Sequence, residues 1–292
     1  MTLEQAYNMG TQSLMNAGIA DAKLDAWYLM EHVTGMSKAT YLAHTTDTLE
    51  KEQEEKYLEY INQRAKRIPL QHLTGVQEFM GFEFIVNEHV LVPRQDTEIL
   101  VEEAVDLLKE KFTETYKEEG KTLRMLDMCT GSGCILISLL RWLKKTGVNM
   151  EGTGVDISEN ALEVAVKNAE KMQVNAEMIK SDLFENISGK YELIISNPPY
   201  IRTAEIETLD PEVRVHDPYL ALDGKEDGLH FYRKIINESK NYMVPGGLLM
   251  FEIGCDQGKE VSDMMKEAGY KSVTVKKDFS SLDRVVFGMY DE

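Results

Sequence analysis

Residues 126–134, Leu-Asp-Met-Cys-Thr-Gly-Ser-Gly-Cys, join an apolar strand to an amphipathic helix through a loop that carries two glycines. Gly131 and Gly133 lack the Cβ atoms that would block a ligand or forbid the required backbone dihedral angles. The start of the following helix offers free N–H groups. The segment therefore predicts a ligand-binding turn in an α/β protein. By itself it leaves open a purely structural turn and a dinucleotide-binding site.

Strand-like and helix-like segments alternate around this loop. The predicted strands are 123–128, 152–156, 176–179, 193–196 and 247–253, with two more around Val273 and Val285. The predicted helices between them are 135–143, 160–172, 229–242 and 257–268. This alternation predicts a mostly parallel, Rossmann-like sheet of seven strands that is covered by helices on both faces.

Two aspartates follow the second and third strands of the predicted sheet. An acid at Asp156 can accept hydrogen bonds from ribose hydroxyls, although the alternative is that it only caps the helix beginning near Ser158. In the segment Ser181-Asp182-Leu183, Asp182 can receive an adenine amino group and Leu183 can pack on the ring. A simple turn aspartate is the alternative for Asp182.

The glycine loop resembles the Asp-x-Gly-x-Gly-x-Gly pattern of class I methyltransferases. Cys129 stands where the first glycine is usual. We expect this small residue to be tolerated, although a positive φ would be costly for it. The resemblance implies S-adenosylmethionine as cofactor and S-adenosylhomocysteine as product. The implied cofactor-binding residues are Cys129, Thr130, Gly131, Ser132, Gly133, Asp156, Asp182, Leu183 and Asn197.

A second motif, Asn197-Pro198-Pro199-Tyr200, ends the apolar strand 193–196. Its two prolines cannot continue a central ladder, so they hold the chain in a rigid extended turn. An amide nitrogen is a poor nucleophile because its lone pair is delocalised, so an enzyme must fix its plane and aim it. The Asn197 side-chain oxygen and the Pro198 carbonyl can each accept one N–H of a substrate NH₂ group. These hydrogen bonds strengthen as positive charge develops on the nitrogen.

The motif therefore predicts methyl transfer to a planar nitrogen. We expect Asn197, Pro198 and Tyr200 to be catalytic, with Tyr200 stacked on the planar group and Pro199 completing the substrate-binding turn. No general base is needed, because the methylated and protonated nitrogen is acidic enough to lose its proton to water. The alternative is an Asx-Pro turn followed by a core tyrosine.

The charge balance argues against nucleic acid as a partner. The chain has 32 Lys plus Arg against 50 Asp plus Glu, a net charge of −18 and a pI of about 4.8. The mean field would repel a polyanion, and no basic run offers phosphate contacts. A basic protein partner is the expectation.

Metal sites and membrane insertion are not expected. None of the cysteines forms a CxxC pair, and no histidine pair has the spacing of metal ligands or of a catalytic triad. No run of about 18 apolar residues occurs. We expect a cytoplasmic monomer without a metal. The histidines set aside are His32, His44, His72, His89, His216 and His230.

The first part of the chain has helical periodicity. Thr2 and Gln5 have the spacing of a capping box. After this part, apolar residues alternate around Gly81, which predicts a hairpin. The expected domains are a helical bundle over 1–75, a β-hairpin linker over 76–95 and an α/β domain over 96–292.

Asp96 and Thr97 are expected to cap a helix that ends near Gly120. Arg94 precedes them. It can orient an acid near the cofactor or bind a partner, but a structural ion pair beside Asp96 and Glu98 is the favoured interpretation.

The whole chain resembles the bacterial peptide chain release factor glutamine N5-methyltransferases, the PrmC/HemK family. The most diagnostic run is 91–98, which resembles that family's Pro-Arg-x-Asp-Thr-Glu segment. Residues 69–75 are similar to the family's domain junction. Two departures occur in the loop after the active-site motif, where Asp217 replaces a glutamate and Lys225 replaces a glycine. Further likenesses are 221–224, 227–229, 251–254, 257–258 and 283–286.

The resemblance implies a substrate, namely the glutamine of the Gly-Gly-Gln motif in release factors 1 and 2, whose methylation modulates translation termination. It also implies that the helical bundle helps to dock these factors. Three alternatives stay open from the motifs alone: a glutamine of a ribosomal protein, an exocyclic amine of nucleic acid, and a binding module without catalysis. The intact Asn197-Pro198 pair argues against the last.

Overall fold

Five helices follow one another at the start of the chain: α1 (Leu3–Asn16), α2 (Ala22–Thr34), α3 (Lys38–Ala43), α4 (Lys51–Ala65) and α5 (Leu70–Thr74). The predicted capping box is confirmed, because the Thr2 side chain accepts the Gln5 N–H and the Gln5 side chain accepts the Thr2 N–H. Leu14, Leu29 and Tyr57 are completely buried between these helices.

The structure is a computed structural model that describes residues 1–291, and these residues divide into two compact units. The first unit contains Met1–Val76 together with Asp210–His216. The second contains Gln77–Leu209 and the residues from Asp217 onward.

A buried arginine organises the first unit. Arg64 of α4 donates to Asp25 of α2 at 2.6 Å and, through its other nitrogens, to the Ile68 carbonyl and to Glu212. Arg64 is only 5% exposed. Because a buried charge is costly without partners, these contacts fix the segment around Glu212 on the helices of the same unit.

The predicted hairpin, formed by β1 (Val76–Phe79) and β2 (Phe82–Ile85), lies in the second unit except for its first residue. Helix α6 (Gln95–Leu108) follows, continues through a π-helical segment (Lys109–Thr113) into α7 (Glu114–Glu119), and ends at Gly120 as expected.

The expected cap of α6 by Asp96 and Thr97 is wrong. The helix begins at Gln95, and the N-cap position is occupied by Arg94, whose side chain makes no capping bond. Asp96 therefore lies in the first turn, where its negative charge favours the helix dipole. Thr97 is buried instead of capping.

Seven strands form the central sheet, in the order β5-β4-β3-β6-β7-β9-β8. Only β9 is antiparallel to its neighbours, and the other pairs are parallel, which confirms the predicted Rossmann-like fold. The strands are β3 (Thr122–Met128), β4 (Asn149–Asp156), β5 (Ala176–Lys180), β6 (Tyr191–Ser196), β7 (Met243–Glu252), β8 (Lys271–Lys277) and β9 (Asp283–Met289).

The chain runs outward from β3 to β5 on one side of the sheet, then returns to β6 on the other side of β3. In open α/β sheets a ligand binds outside the carboxyl ends of the strands at such a switch point. The helices after β3 are α8 (Cys134–Leu143), α9 (Glu159–Lys171), α10 (Thr203–Ile206), α11 (Pro211–His216), α12 (Tyr219–Leu222), α13 (His230–Ser239) and α14 (Gly258–Glu267). Within residues 1–291 no helix is both long and apolar enough to cross a membrane.

Candidate active site

The loop after β3 has an unusual backbone. Cys129, Gly131 and Gly133 have φ values of 63°, 54° and 78°, all in the left-handed region. The cysteine therefore adopts the dihedral angle that is costly for it.

Hydrogen bonds hold this loop in place. The Thr130 N–H donates to the Val155 carbonyl at 2.9 Å, and the Thr130 hydroxyl donates to Asp127 at 2.6 Å. Asp127 is completely buried, and this burial raises the pKa of its carboxyl to about 7 against the effect of the Thr130 hydrogen bond. Thr130 thus fixes the loop to the end of β4 and to the buried Asp127.

The two loop glycines have different surroundings. A Cβ at Gly131 would meet no atom within 4 Å, because this residue faces an open cavity. A Cβ at Gly133 would lie 2.9 Å from Ile137 and 3.3 Å from the Cβ of Ala165. Gly131 thus gives a ligand access to the backbone, while Gly133 lets α8 pack closely on α9.

Asp156, at the end of β4, connects the loop to α9. Its carboxylate accepts the Gly131 N–H at 3.0 Å and the Ser158 N–H at 2.9 Å. Helix α9 is capped by the hydroxyl of Ser158, which accepts the Ala161 N–H. Burial raises the pKa of Asp156, while these backbone hydrogen bonds act in the opposite direction. Asp156 is therefore not the N-cap of α9, and each of its oxygens keeps a lone pair for a ligand.

A cavity of about 310 Å³ lies at the carboxyl edge of the sheet. This volume is within the range of small-molecule sites. Predicted site residues that line it are Cys129, Gly131, Asp156, Asp182, Leu183, Asn197 and Pro199. Thr130, Ser132, Gly133, Pro198 and Tyr200 are not among its lining residues.

Several lining residues were not predicted as site residues. Ile157 follows Asp156 and is 52% exposed, so it offers an apolar surface at the cavity wall. Leu91 and Ala221 belong to segments whose only sequence signal is the family resemblance. Further lining residues that no motif indicated come from the loop between β2 and α6, from α12 and from α13: His89, Val90, Leu220, His230, Phe231 and Lys234.

The Asn197–Tyr200 turn is held from behind. Asn197 Nδ2 donates to Thr97 Oγ1 at 3.3 Å, and the Tyr200 hydroxyl donates to Glu252 at 3.4 Å. The Tyr200 carbonyl accepts from Gln257 Nε2 at 3.0 Å. A Cβ at Gly224 would lie 2.7 Å from Tyr200 Cα, so only glycine permits this approach. The rigid turn is therefore fixed by four separate parts of the second unit.

Arg94 forms the structural ion pair that was the favoured interpretation, but with a distant partner. It donates to Asp217 at 2.7 Å. The Asp217 side chain is 1% exposed, whereas that of Arg94 is 46% exposed. Burial raises the pKa of Asp217, and the guanidinium of Arg94 opposes this shift. The pair ties the segment before α6 to the loop after α11.

Within residues 1–291 no group of His, Cys, Asp and Glu side chains could hold a metal ion.

Comparison with known proteins defines the class. A family model described as methyltransferase small domain matches residues 97–211, and one described as PrmC N-terminal domain matches residues 5–75. A solved methyltransferase from Pyrococcus furiosus has a TM-score of 0.50 at 16% identity, and the match covers 79% of this chain and 100% of that chain. The fold is that of a class I S-adenosylmethionine-dependent methyltransferase.

Relatives of similar length narrow the class to a family. Release factor glutamine methyltransferases from Agrobacterium fabrum and Geobacter sulfurreducens are 38% and 36% identical to this chain. Both alignments cover 94% of this chain and 92% of the relative. The chain belongs to the release factor glutamine methyltransferase family.

Proposed function

We propose that this protein transfers a methyl group from S-adenosylmethionine to the side-chain amide nitrogen (N5) of the glutamine in the Gly-Gly-Gln motif of peptide chain release factors 1 and 2, and so modulates translation termination. One observation carries the chemistry: Asn197 lies on the wall of the same cavity as Gly131 and Asp156. A group that can hold an amide is thus beside groups that can hold a nucleoside.

The cavity wall fits S-adenosylmethionine. Gly131 exposes backbone, Asp156 can accept ribose hydroxyls, and Asp182 can accept the adenine amino group. Leu183 and Ile157 offer apolar surface to the adenine ring. When bound, S-adenosylmethionine supplies a methyl carbon that is activated by a positively charged sulfur. Cys129, Thr130, Ser132 and Gly133 complete the loop that shapes this part of the cavity.

The turn would orient the glutamine amide. Because Asn197 uses its nitrogen to donate to Thr97, its side-chain oxygen is left to accept one substrate N–H. The Pro198 carbonyl accepts the other, and two acceptors fix the plane of the NH₂ group. Tyr200 would stack on this group and Pro199 would complete the substrate-binding surface. The proton released from nitrogen passes to water.

Two observations support a release factor as the protein substrate: the net charge of this chain and its similarity to release factor glutamine methyltransferases. The net charge of −18 suits a basic protein surface better than a nucleic acid. We assign residues 1–75 to docking of the release factor, residues 76–95 to the hairpin connection and residues 96–292 to catalysis. A monomer that acts in the cytoplasm completes the proposal.

A methyl-transfer assay tests the substrate. The protein is incubated with methyl-labelled S-adenosylmethionine and, in parallel, with release factor, release factor whose Gly-Gly-Gln glutamine is changed to alanine, a ribosomal-protein fraction, and RNA or DNA. We expect label only on the unaltered release factor. Label on nucleic acid or ribosomal protein, or label that persists on the altered factor, contradicts the proposal.

The role of Asn197 has its own prediction. Asn197→Ala is expected to lower kcat about 10²–10³-fold, because it removes an acceptor that acts most strongly in the transition state. The Kd for S-adenosylmethionine, measured by calorimetry, is expected to stay within about twofold of the original value, since we assign Asn197 mainly to the amide. Asn237→Ala, at an exposed position of α13, is the matched control. A loss of cofactor affinity in proportion to the rate would show that the role is wrongly assigned.

A further inference from the structure

Glu252, at the end of β7, is a buried acid beside the Asn197–Tyr200 turn. It is 2% exposed, and its Oε1 accepts the Tyr200 hydroxyl at 3.4 Å. Its Oε2 is buried without a partner at hydrogen-bond geometry among residues 1–291. A buried acceptor in this state costs free energy until a donor turns toward it.

Thr97 can supply that donor. Its oxygen already accepts the Asn197 Nδ2–H at 3.3 Å, which leaves the hydroxyl proton free to rotate toward another acceptor. Thr97 and Asn197 both act on Glu252 as hydrogen-bonding groups that favour its ionised form. Thr97, bonded to Asn197 of the turn, is therefore the group that can link this turn to the unpartnered oxygen of Glu252 by rotation of its hydroxyl.

The direction of these hydrogen bonds depends on charge. An ionised carboxylate can only accept, so Thr97 must donate to Glu252 and accept from the Asn197 nitrogen. The Asn197 oxygen is then turned toward the substrate side. A protonated Glu252 can instead donate to Thr97, whose hydroxyl can then donate toward Asn197. That reversal favours the flipped orientation of the Asn197 amide, in which its NH₂ group faces the NH₂ group of the substrate. Both groups are then donors, so Asn197 cannot hold the substrate.

We propose that Glu252 is a positioning residue that, through Thr97, sets which face of the Asn197 amide is offered to the substrate. This inference deepens the proposed function and rests on it for its catalytic consequence. The orientation of Asn197 itself is a property of the chain and can be measured without a substrate.

Charged and titratable groups from every neighbouring element act on Glu252. Burial is the main influence and raises its pKa to about 7. Arg284 of β9 lowers the pKa and Asp96 of α6 raises it. Other titratable neighbours are Tyr200 after β6, Tyr232 of α13, which donates to the Glu252 carbonyl, and Cys134 of α8. Ionisation near neutrality is therefore expected to control the orientation of Asn197.

The first measurement is the pH dependence of methyl transfer to release factor. The intact protein is expected to lose kcat, with KM for release factor less affected, as pH falls below about 7, approaching tenfold per pH unit. Glu252→Gln and Thr97→Val are expected to lower kcat about 10–100-fold and to remove this acidic limb. Thr97→Ser, which keeps the hydroxyl, is expected to restore the limb. A limb that is unchanged in Glu252→Gln or Thr97→Val would overturn the inference.

The second measurement is the ¹⁵N resonance of the Asn197 side-chain amide, assigned by its loss in Asn197→Ala. We expect this resonance to titrate with a midpoint near pH 7 in the intact protein and in Thr97→Ser, but not in Glu252→Gln or Thr97→Val. No titration in the intact protein would overturn the inference, whatever the substrate proves to be. If the Asn197 resonance titrates as expected but the protein does not methylate release factor, only the proposed function is overturned. If Glu252→Gln does not fold, the two Thr97 variants decide the question.

Discussion

Three non-glycine residues of the site-bearing loops, Cys129, Leu183 and Lys225, adopt a backbone conformation that favours glycine. Cys129 and Lys225 have φ values of 63° and 71°, and both stand where the family resemblance expects glycine. An L-residue in the left-handed region costs about 1–2 kcal/mol. The protein therefore carries local strain both beside the cavity and behind the Asn197–Tyr200 turn.

Lys225 allows this cost to be measured. Lys225→Gly is expected to be more stable than Lys225→Ala by about 1 kcal/mol, because alanine keeps the strained dihedral angle and glycine relieves it. The ion pair between Lys225 and Asp223 is lost equally in both variants. The measurement is the free energy of unfolding in urea.

Lys167 provides the matched control, since it lies at an exposed interior position of α9. There the order is expected to reverse, with the alanine variant more stable than the glycine variant by about 1 kcal/mol. The same order at both positions would contradict the assignment of strain to residue 225.

The site residues that could be predicted lie next to strand ends in the sequence. Asp156, Asp182 and Asn197 each follow an apolar strand, so the sheet order alone brings them to one edge. Glu252 and Thr97 could not be assigned in this way, because their relation to Asn197 depends on tertiary packing across 100 residues in the case of Thr97. The partner of Arg94 is 123 residues away and was missed for the same reason.

At the level of elements, periodicity was sufficient to predict the strands and most helices. Buried parallel strands such as β6, in which all six residues are buried, give continuous apolar runs that are easy to recognise. The start of α6 was not predictable from its residue types. Asp96 and Thr97 are good capping residues, but the backbone is extended at Arg94 and the helix begins at the next residue. Thr97 therefore lies within the first turn, where its side chain is buried in the core.

In the loop between β3 and α8, Gly131 and Gly133 meet two different requirements, access for a ligand and close packing of helices. Gly131→Ala is expected to weaken cofactor binding at least about tenfold, because the new Cβ enters the cavity, while the positive φ costs about 1 kcal/mol of stability. Gly133→Ala adds steric overlap with Ile137 and Ala165 and is expected to cost a further ~1–3 kcal/mol. Thermal unfolding without cofactor and calorimetric titration with S-adenosylmethionine separate the two effects.

Each variant serves as the control for the other. The Gly131 variant should have the larger loss of affinity and the Gly133 variant the larger loss of stability. Equal changes in both properties would show that the loop responds as one structural unit and that Gly131 has no special relation to the ligand.

For the molecule as a whole, two buried carboxyls predict a dependence of stability on pH. Burial raises the pKa values of Asp127 and Glu252 to about 7, well above the values of exposed acids. At pH values between the pKa of exposed acids and the raised pKa of these two carboxyls, the folded state binds more protons than the unfolded state. Stability therefore falls as pH rises through this range. The Tm is expected to decrease by on the order of 5 °C between about pH 5 and about pH 8.

Asp127→Asn tests the origin of this slope, because asparagine can still accept the Thr130 hydrogen bond but cannot ionise. The variant is expected to have a flatter Tm profile over the same range. His230 acts in the opposite direction, since burial and nearby cations lower its pKa, but it is only partly buried. A Tm that rises with pH, or an unchanged slope in the variant, would contradict the assignment.

The place of α11 has a consequence for how such a protein can evolve. The backbone passes between the two units three times, at residues 76–77, 209–210 and 216–217, and Arg64 holds Glu212 of α11 within the first unit. A recombination event that exchanged only the first 76 residues would replace the helices that α11 contacts and leave α11 itself unchanged. The helical unit is therefore a discontinuous module, in which a change at Arg64 of α4 also removes a partner of Glu212 in α11, although the two helices are distant in the gene.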